Sequence, residues 1–410
     1  MHSAVPASRA ELALSDKRSS ALEFSTRTGL SRARHLDVVR AGAVERVEAV
    51  DGLRGLMAWA VAVYHLGLLS GAARGSGVAA SAAAVLGLHS VEAFFLISGF
   101  CFFYVQREAR FDPARYCRFQ LQRFLRLAPL FYLVLALNLV FGLPAGPAPS
   151  ALHLLENLTL GFGLTHPNHA MVVGGWSIGI EFVFYLVFPL AVGLARSRVL
   201  PLVAAGGLSW LAWDYSAGHV ATAADSARFN AYVLLPNHAF AFALGAVIAG
   251  LRARTRFRVS PQLALAALGG GIGIWISTRP AVVDHFAIVL GAERAKYVAA
   301  SFAAVLGFAL SSGGPPALRR VLSGIGELSY AVYLLHPLAW ELTRAWLPAQ
   351  LHPALALAAA LATTLGLSLA ACHAVERPMA RFRAQLRRAE RRRPAGVPEA
   401  AARPIAAEPM

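Results

Sequence analysis

Arg54 and His65 lie eleven positions apart in an apolar stretch, Asp51-Gly52-Leu53-Arg54-Gly55-Leu56-Met57-Ala58-Trp59-Ala60-Val61-Ala62-Val63-Tyr64-His65. Helical steps of about 100° over that interval come to roughly 1100°, about 20° past three full turns, so both side chains share one face some 16 Å apart along the axis. A guanidinium offers paired donors to a phosphate. A neutral imidazole takes a proton from a hydroxyl or attacks a carbonyl carbon. Inside a membrane either group is costly, and such a residue is a functional candidate by default. The spacing predicts an anion site at the wet end of a helix and a base near mid-bilayer.

Depth along neighbouring apolar runs brings in other residues. Glu92, Glu181 and His336 fall near the middle of three further runs, so with His65 they are expected to share one layer. Lone polar residues in a bundle are often satisfied structural partners; four at one depth favour a site. A second layer is expected at the opposite, wetter end, holding Arg54, Arg123, Arg126, Glu327 and Glu376. Arg123 and Arg126 are three apart and share a helix face. Ordinary topology charge is the alternative for either arginine alone. Ser98, in Phe94-Phe95-Leu96-Ile97-Ser98-Gly99-Phe100, marks either close helix packing or a substrate contact. Trp176 is an interfacial anchor or an acceptor contact. Tyr185 follows Glu181 at i+4 on the same face. Pro337 removes a backbone donor beside His336 and predicts a kink there.

The elements that must hold these residues are membrane helices. The chain has 410 residues, is 57% hydrophobic and only 15% charged, where a soluble protein carries about 25% charge. Its mean hydropathy is +0.54. Ten spans of roughly 20 residues are expected, near 53–71, 79–105, 124–143, 171–194, 199–213, 230–250, 261–277, 296–312, 325–347 and 353–374. The net charge of +16 sits in short segments between apolar runs, which excludes a nucleic-acid partner. Arginines follow every second run, as an even number of spans with both termini cytoplasmic requires. The fold expected is an all-α bundle of about ten transmembrane helices. Residues 1–47 read as a disordered cytoplasmic leader, 48–380 as the transmembrane domain and 381–410 as a basic cytoplasmic tail. Cys101, Cys117 and Cys372 show no metal-ligand spacing and no disulfide framework. No metal is expected. His153, His166 and His169, in an outer loop, could touch an acceptor.

Taken together these segments resemble acyltransferase family 3, the integral-membrane O-acyltransferases of bacteria. The opening Asp51-Gly52-Leu53-Arg54-Gly55 with His65, the stretch Phe94 to Phe100, and Arg123-Phe124-Leu125-Arg126-Leu127-Ala128-Pro129-Leu130-Phe131-Tyr132 are similar to its motifs. So are Trp176 to Tyr185, Ser329 to Pro337, and Val375-Glu376-Arg377-Pro378. The resemblance covers about residues 48–380.

It implies an acyl-CoA donor substrate with no bound cofactor, a carbohydrate or glycolipid acceptor, and the bacterial inner membrane as location. A periplasmic or glycan-assembly partner is a further expectation, because some members carry an extra hydrolase-like domain. Arg54, Arg123 and Arg126, with Ser98, would bind the donor. His65 would act as general base or form an acyl-histidine, oriented by Glu92. Trp176, Glu181, Tyr185 and His336 would meet the acceptor or relay protons. The rival classes are a proton-coupled secondary transporter, which also uses intramembrane His and Glu, and a non-catalytic scaffold. Against the transporter, no pair of matching interrupted helices marks two repeats.

Overall fold

The computed structural model describes residues 47–391, apart from 74–76, 108–111, 144–148, 188–192, 194–195, 279–285 and 349. Residues 1–46 of the expected leader and 392–410 of the expected tail lie outside the described residues. Helices α1 (Glu48–Ser70), α2 (Val78–Gln106), α3 (Pro113–Val140), α4 (Ala151–Thr159) and α5 (Gly175–Leu186) carry most of the singled-out residues. Helices α6 (Leu200–Tyr215), α7 (Asp225–Tyr232), α8 (Ala239–Arg254), α9 (Pro261–Thr278) and α10 (Gly291–Leu310) follow. The chain then forms α11 (Pro316–Glu327), α12 (Ser329–Trp346), α13 (Pro353–Ala371) and α14 (Arg377–Arg391). No strand occurs among the described residues.

Each of the ten expected intervals holds a helix. Four stretches are long and apolar enough by themselves to cross a membrane: Glu48–Ser70, Val78–Gln106, Pro113–Val140 and Pro353–Ala389. In the fourth expected span the described residues form a helix of 12 residues, Gly175–Leu186, and 188–192 and 194 lie outside the described residues. The ninth begins after a break at Leu328, which separates α11 from α12. The expected boundary at 380/381 cuts through a continuous α14.

Burial ranks the long helices. The apolar window of α2 is 72% enclosed by protein and that of the C-terminal stretch only 33%, so α2 is central and α13 peripheral. Two close crossings fix α2 and α1. A Cβ on Gly99 or Gly245 would run into the facing backbone where α2 meets α8, and one on Gly55 or Gly326 would do the same where α1 meets α11. Missing side chains let helix backbones approach, the usual device of packing in lipid. Gly99 thus accounts for the packing half of the Ser98-Gly99 pair. On the periphery, Trp210, Val203 and Leu202 of α6 are exposed. Such apolar exposure is costly in water at about 25 cal/mol per Å² and carries no such cost against lipid tails.

Candidate active site

Helix α1 lies against α12, and this brings His65 to His336. His65 Nδ1 stands 2.8 Å from His336 Nε2, with the rings stacked at 5.1 Å. His336 is fully buried and its Nδ1 lies 3.2 Å from the Val332 carbonyl. A carbonyl only accepts, so that nitrogen carries the proton, and in a neutral ring Nε2 is left with a lone pair. His65 Nδ1 must then donate to it. The lone pair of His65 therefore resides on Nε2, the atom a base or nucleophile needs. Pro337 lies inside α12, which runs on from Ser329 to Trp346; lacking an N–H, it cannot donate to the Tyr333 carbonyl.

The four residues expected at one depth do not share partners: His65 and His336 pair with each other, and Glu92 and Glu181 each bond elsewhere. Glu92, expected to orient His65, faces another way. Its carboxylate accepts from Arg294 Nε at 2.8 Å and approaches His89 Nδ1 at 3.2 Å. His89 Nε2 reaches the Ile288 carbonyl at 3.0 Å, and Arg294 also donates to the side chain and backbone of Asn237. The reason is electrostatic: a buried carboxylate requires a cation, and Arg294 of α10 is the one that packing brings to it. Depth along a helix fixes height and says nothing about azimuth. The cue for half of this cluster was present, since His89 and Glu92 are three apart on one face. Arg294 read as part of a connecting loop.

Glu181 has partners of its own. Ser98 Oγ donates to its Oε1 at 2.9 Å and the Tyr185 hydroxyl donates to the same oxygen. Ser98 Oγ is thereby engaged by Glu181. A cavity of about 40 Å³ is lined by Glu181 together with Arg54, Arg126, Ser177, Tyr330 and Tyr333. Glu181 thus lies beside the arginines.

Arg54 and Arg126 stand in one another's field, with Arg123 and Glu181 nearby. Arg123 lies over the rings of Phe119 and Tyr185 at 5.0 and 4.8 Å. This cation–π stacking aligns the guanidinium without neutralising it. Arg54 Nε is buried with no hydrogen-bond partner among the described residues, and so are Arg383 Nε and Glu376 Oε1. Arg383 comes from α14, which lies against α3 and is fastened there by Arg387 Nη1 donating to Gln122 Oε1 at 2.9 Å. It feels Arg126, Arg387 and Arg123 as charged neighbours. Sequence reasoning left Arg383 in the basic tail, although its spacing of four from Arg387 marks one helical face. Glu327, expected in this layer, is instead held on the surface by Arg377, with Nε–Oε1 at 2.8 Å.

Tyr333 separates the arginine cavity from the histidine pair. Its hydroxyl bonds Ser177 Oγ at 2.7 Å, and its ring stands edge-on to His336 at 6.3 Å. Trp176 is enclosed by Phe95, Tyr232 and His238, with ring centroids 5.2 to 6.3 Å away. It is buried, so neither an interfacial anchor nor an open stacking platform describes it; an aromatic core does.

A family model described as "Acyltransferase domain", that of acyltransferase family 3, matches residues 47–373, most of the chain. The chain belongs to acyltransferase family 3. No curated protein and no solved structure matches it. Membership makes this protein a membrane acyltransferase. Within this acyltransferase, the histidine pair and the arginine recess are carried by α1, α3 and α12, all inside the matched region. Arg383 lies ten residues beyond the match.

Proposed function

We propose that this acyltransferase moves an acyl group, acetyl by default, from acyl-CoA to a hydroxyl of a carbohydrate or cell-envelope glycan, working in the bacterial inner membrane. The observation that carries the reading is the carbonyl-anchored histidine pair. The Val332 carbonyl fixes the tautomer of His336, and His336 in turn leaves His65 Nε2 unprotonated. Nε2 takes the proton of the acceptor hydroxyl while the oxygen attacks the thioester carbon. The C–S bond breaks, CoA leaves as thiolate, and the imidazolium returns the proton to give free CoA and an ester. Throughout, His65 Nδ1–H keeps its bond to His336, so the neutral partner supports the transient cation as a carboxylate does in a hydrolytic triad.

Arg54, Arg126 and Arg383 bind the CoA phosphates, with Arg123 aligned beside them. Buried guanidinium nitrogens without partners are costly, and an incoming phosphate supplies the acceptors they lack. Glu181 balances part of the charge before the donor arrives. In this reading about ten spans cross the bilayer, both termini are cytoplasmic and the donor enters from that side.

The test is thioester consumption by purified protein in detergent, with acetyl-CoA and a delipidated envelope-glycan extract. Free CoA should appear together with an added acyl mass on the glycan. Intact acetyl-CoA in every acceptor preparation, with a His65→Ala sample indistinguishable from the unmodified protein, would sink the assignment.

A further inference from the structure

The connection from α3 to α5 holds a second set of chemically able side chains, outside the matched arginine and histidine motifs. The metal-capable atoms of Glu156, His166 and His169 all lie within 4.8 Å of one another. His169 Nδ1 and Glu156 Oε2 are 3.1 Å apart. Ligands around one zinc ion at bond lengths near 2.1 Å sit about 3.4 Å from each other, so this pair already has ligand spacing. His166 stacks on His169 at 4.6 Å and is exposed, and its ring needs only a rotamer change to join them.

The backbone beneath the trio is rigid. Pro167 starts the short turn Pro167–His169, which presents both imidazoles together. Asn157 is fully buried and donates to the carbonyls of His153 and His169, each at 2.9 Å, while its Oδ1 accepts from Met171 N at 2.8 Å. His153 Nε2 donates to the same His169 carbonyl at 2.7 Å. Thr165 donates to the other Glu156 oxygen at 2.7 Å. Outer-sphere hydrogen bonds of this kind orient metal ligands.

We propose that Glu156, His166 and His169 bind one divalent transition-metal ion, Zn²⁺ by the chemistry of the set. Two imidazoles and a carboxylate suit zinc; all-oxygen sets suit magnesium and calcium. Three protein ligands leave a fourth position open to water or a hydroxyl. The ion pins α4 to the turn that leads, through Met171, into Trp176 and Ser177 at the start of α5. Cysteine spacing gives no hint of it, because the ligands are histidines and a glutamate that come together only when α4 folds back on the turn.

The experiment uses full-length protein in detergent, stripped with chelator and dialysed against ZnCl₂ at micromolar free concentration, with bound metal read by mass spectrometry. About one zinc ion per chain is expected, unaffected by millimolar MgCl₂ or CaCl₂. The double variant His166→Ala/His169→Ala should lose it. Glu156→Gln should weaken it by at least about tenfold, which keeps the test decisive if the double variant fails to fold. Zinc should raise the melting temperature of the unmodified protein alone. Equal zinc content in the unmodified protein and Glu156→Gln, or none in either, overturns the proposal. Because binding is read without any acyl transfer, neither result bears on the activity proposed above.

Discussion

Two buried polar clusters sit a few helices apart and differ in whether their atoms have partners. Around Glu92, both carboxylate oxygens, both His89 nitrogens and all three Arg294 nitrogens are engaged. Around Arg54, a guanidinium nitrogen of α1, another of α14 and a Glu376 oxygen are buried without partners among the described residues. The first cluster is complete and ties α2 to α10 and to the segment before α8. The second is incomplete, as the proposed donor site requires. Buried charge alone does not separate structure from function in a membrane protein; satisfaction does.

The sharpest way to break this contrast is at the histidine pair. His65→Ala should cut the rate of CoA release by about 10²–10⁴ while the amount of folded protein in the membrane is unchanged. A variant that retains the full rate would move the chemistry elsewhere. At the complete cluster the expected loss is in stability. Removing one member of a buried pair costs about 3–5 kcal/mol, so Glu92→Leu should lower the melting temperature in detergent, and Glu92→Leu/Arg294→Met should recover much of the difference. If Glu92→Leu kept its melting temperature and lost activity only, Glu92 would belong to the catalytic machinery after all.

His336→Ala removes a hydrogen bond to a group that becomes charged, a loss of about 1.5–3 kcal/mol. It should lower kcat by about 10–100-fold with the donor KM little changed. A rise in KM at constant kcat would contradict a positioning role. The smallest effect is expected at Arg383. Its replacement by Ala should raise the donor KM by up to about tenfold and leave kcat near normal. Substrates lacking the CoA phosphates, such as an acylated pantetheine, should not sense the change. An equal effect on both donors would detach Arg383 from the phosphates.

Legibility from sequence followed the same divide. Membrane character, the α1 face that carries Arg54 and His65, the shared face of Arg123 and Arg126, and the donor missing at Pro337 are local properties of periodicity and composition. The partner of His65 is His336 and not Glu92, a pairing absent from the sequence because a helix position gives height but no direction of view. Arg383 and Arg294 were passed over because charge beside an apolar run reads first as topology. Trp176 looked like an anchor at a helix start, and the enclosing rings of Tyr232 and His238 come from a distant segment.

Chain chemistry alone thus determined the family, the helical class and the residues able to grip an anion or move a proton, because hydrophobic period and side-chain type are written residue by residue. Tertiary structure decided who pairs with whom. It set His65 against His336, gave Glu92 to Arg294, drew Glu181 into the arginine recess and folded α14 back to add Arg383. The physical reason is that a buried charge or lone pair is stabilised by whatever group helix packing brings within about 3 Å, and packing partners are chosen by the shapes of faces that lie far apart in sequence.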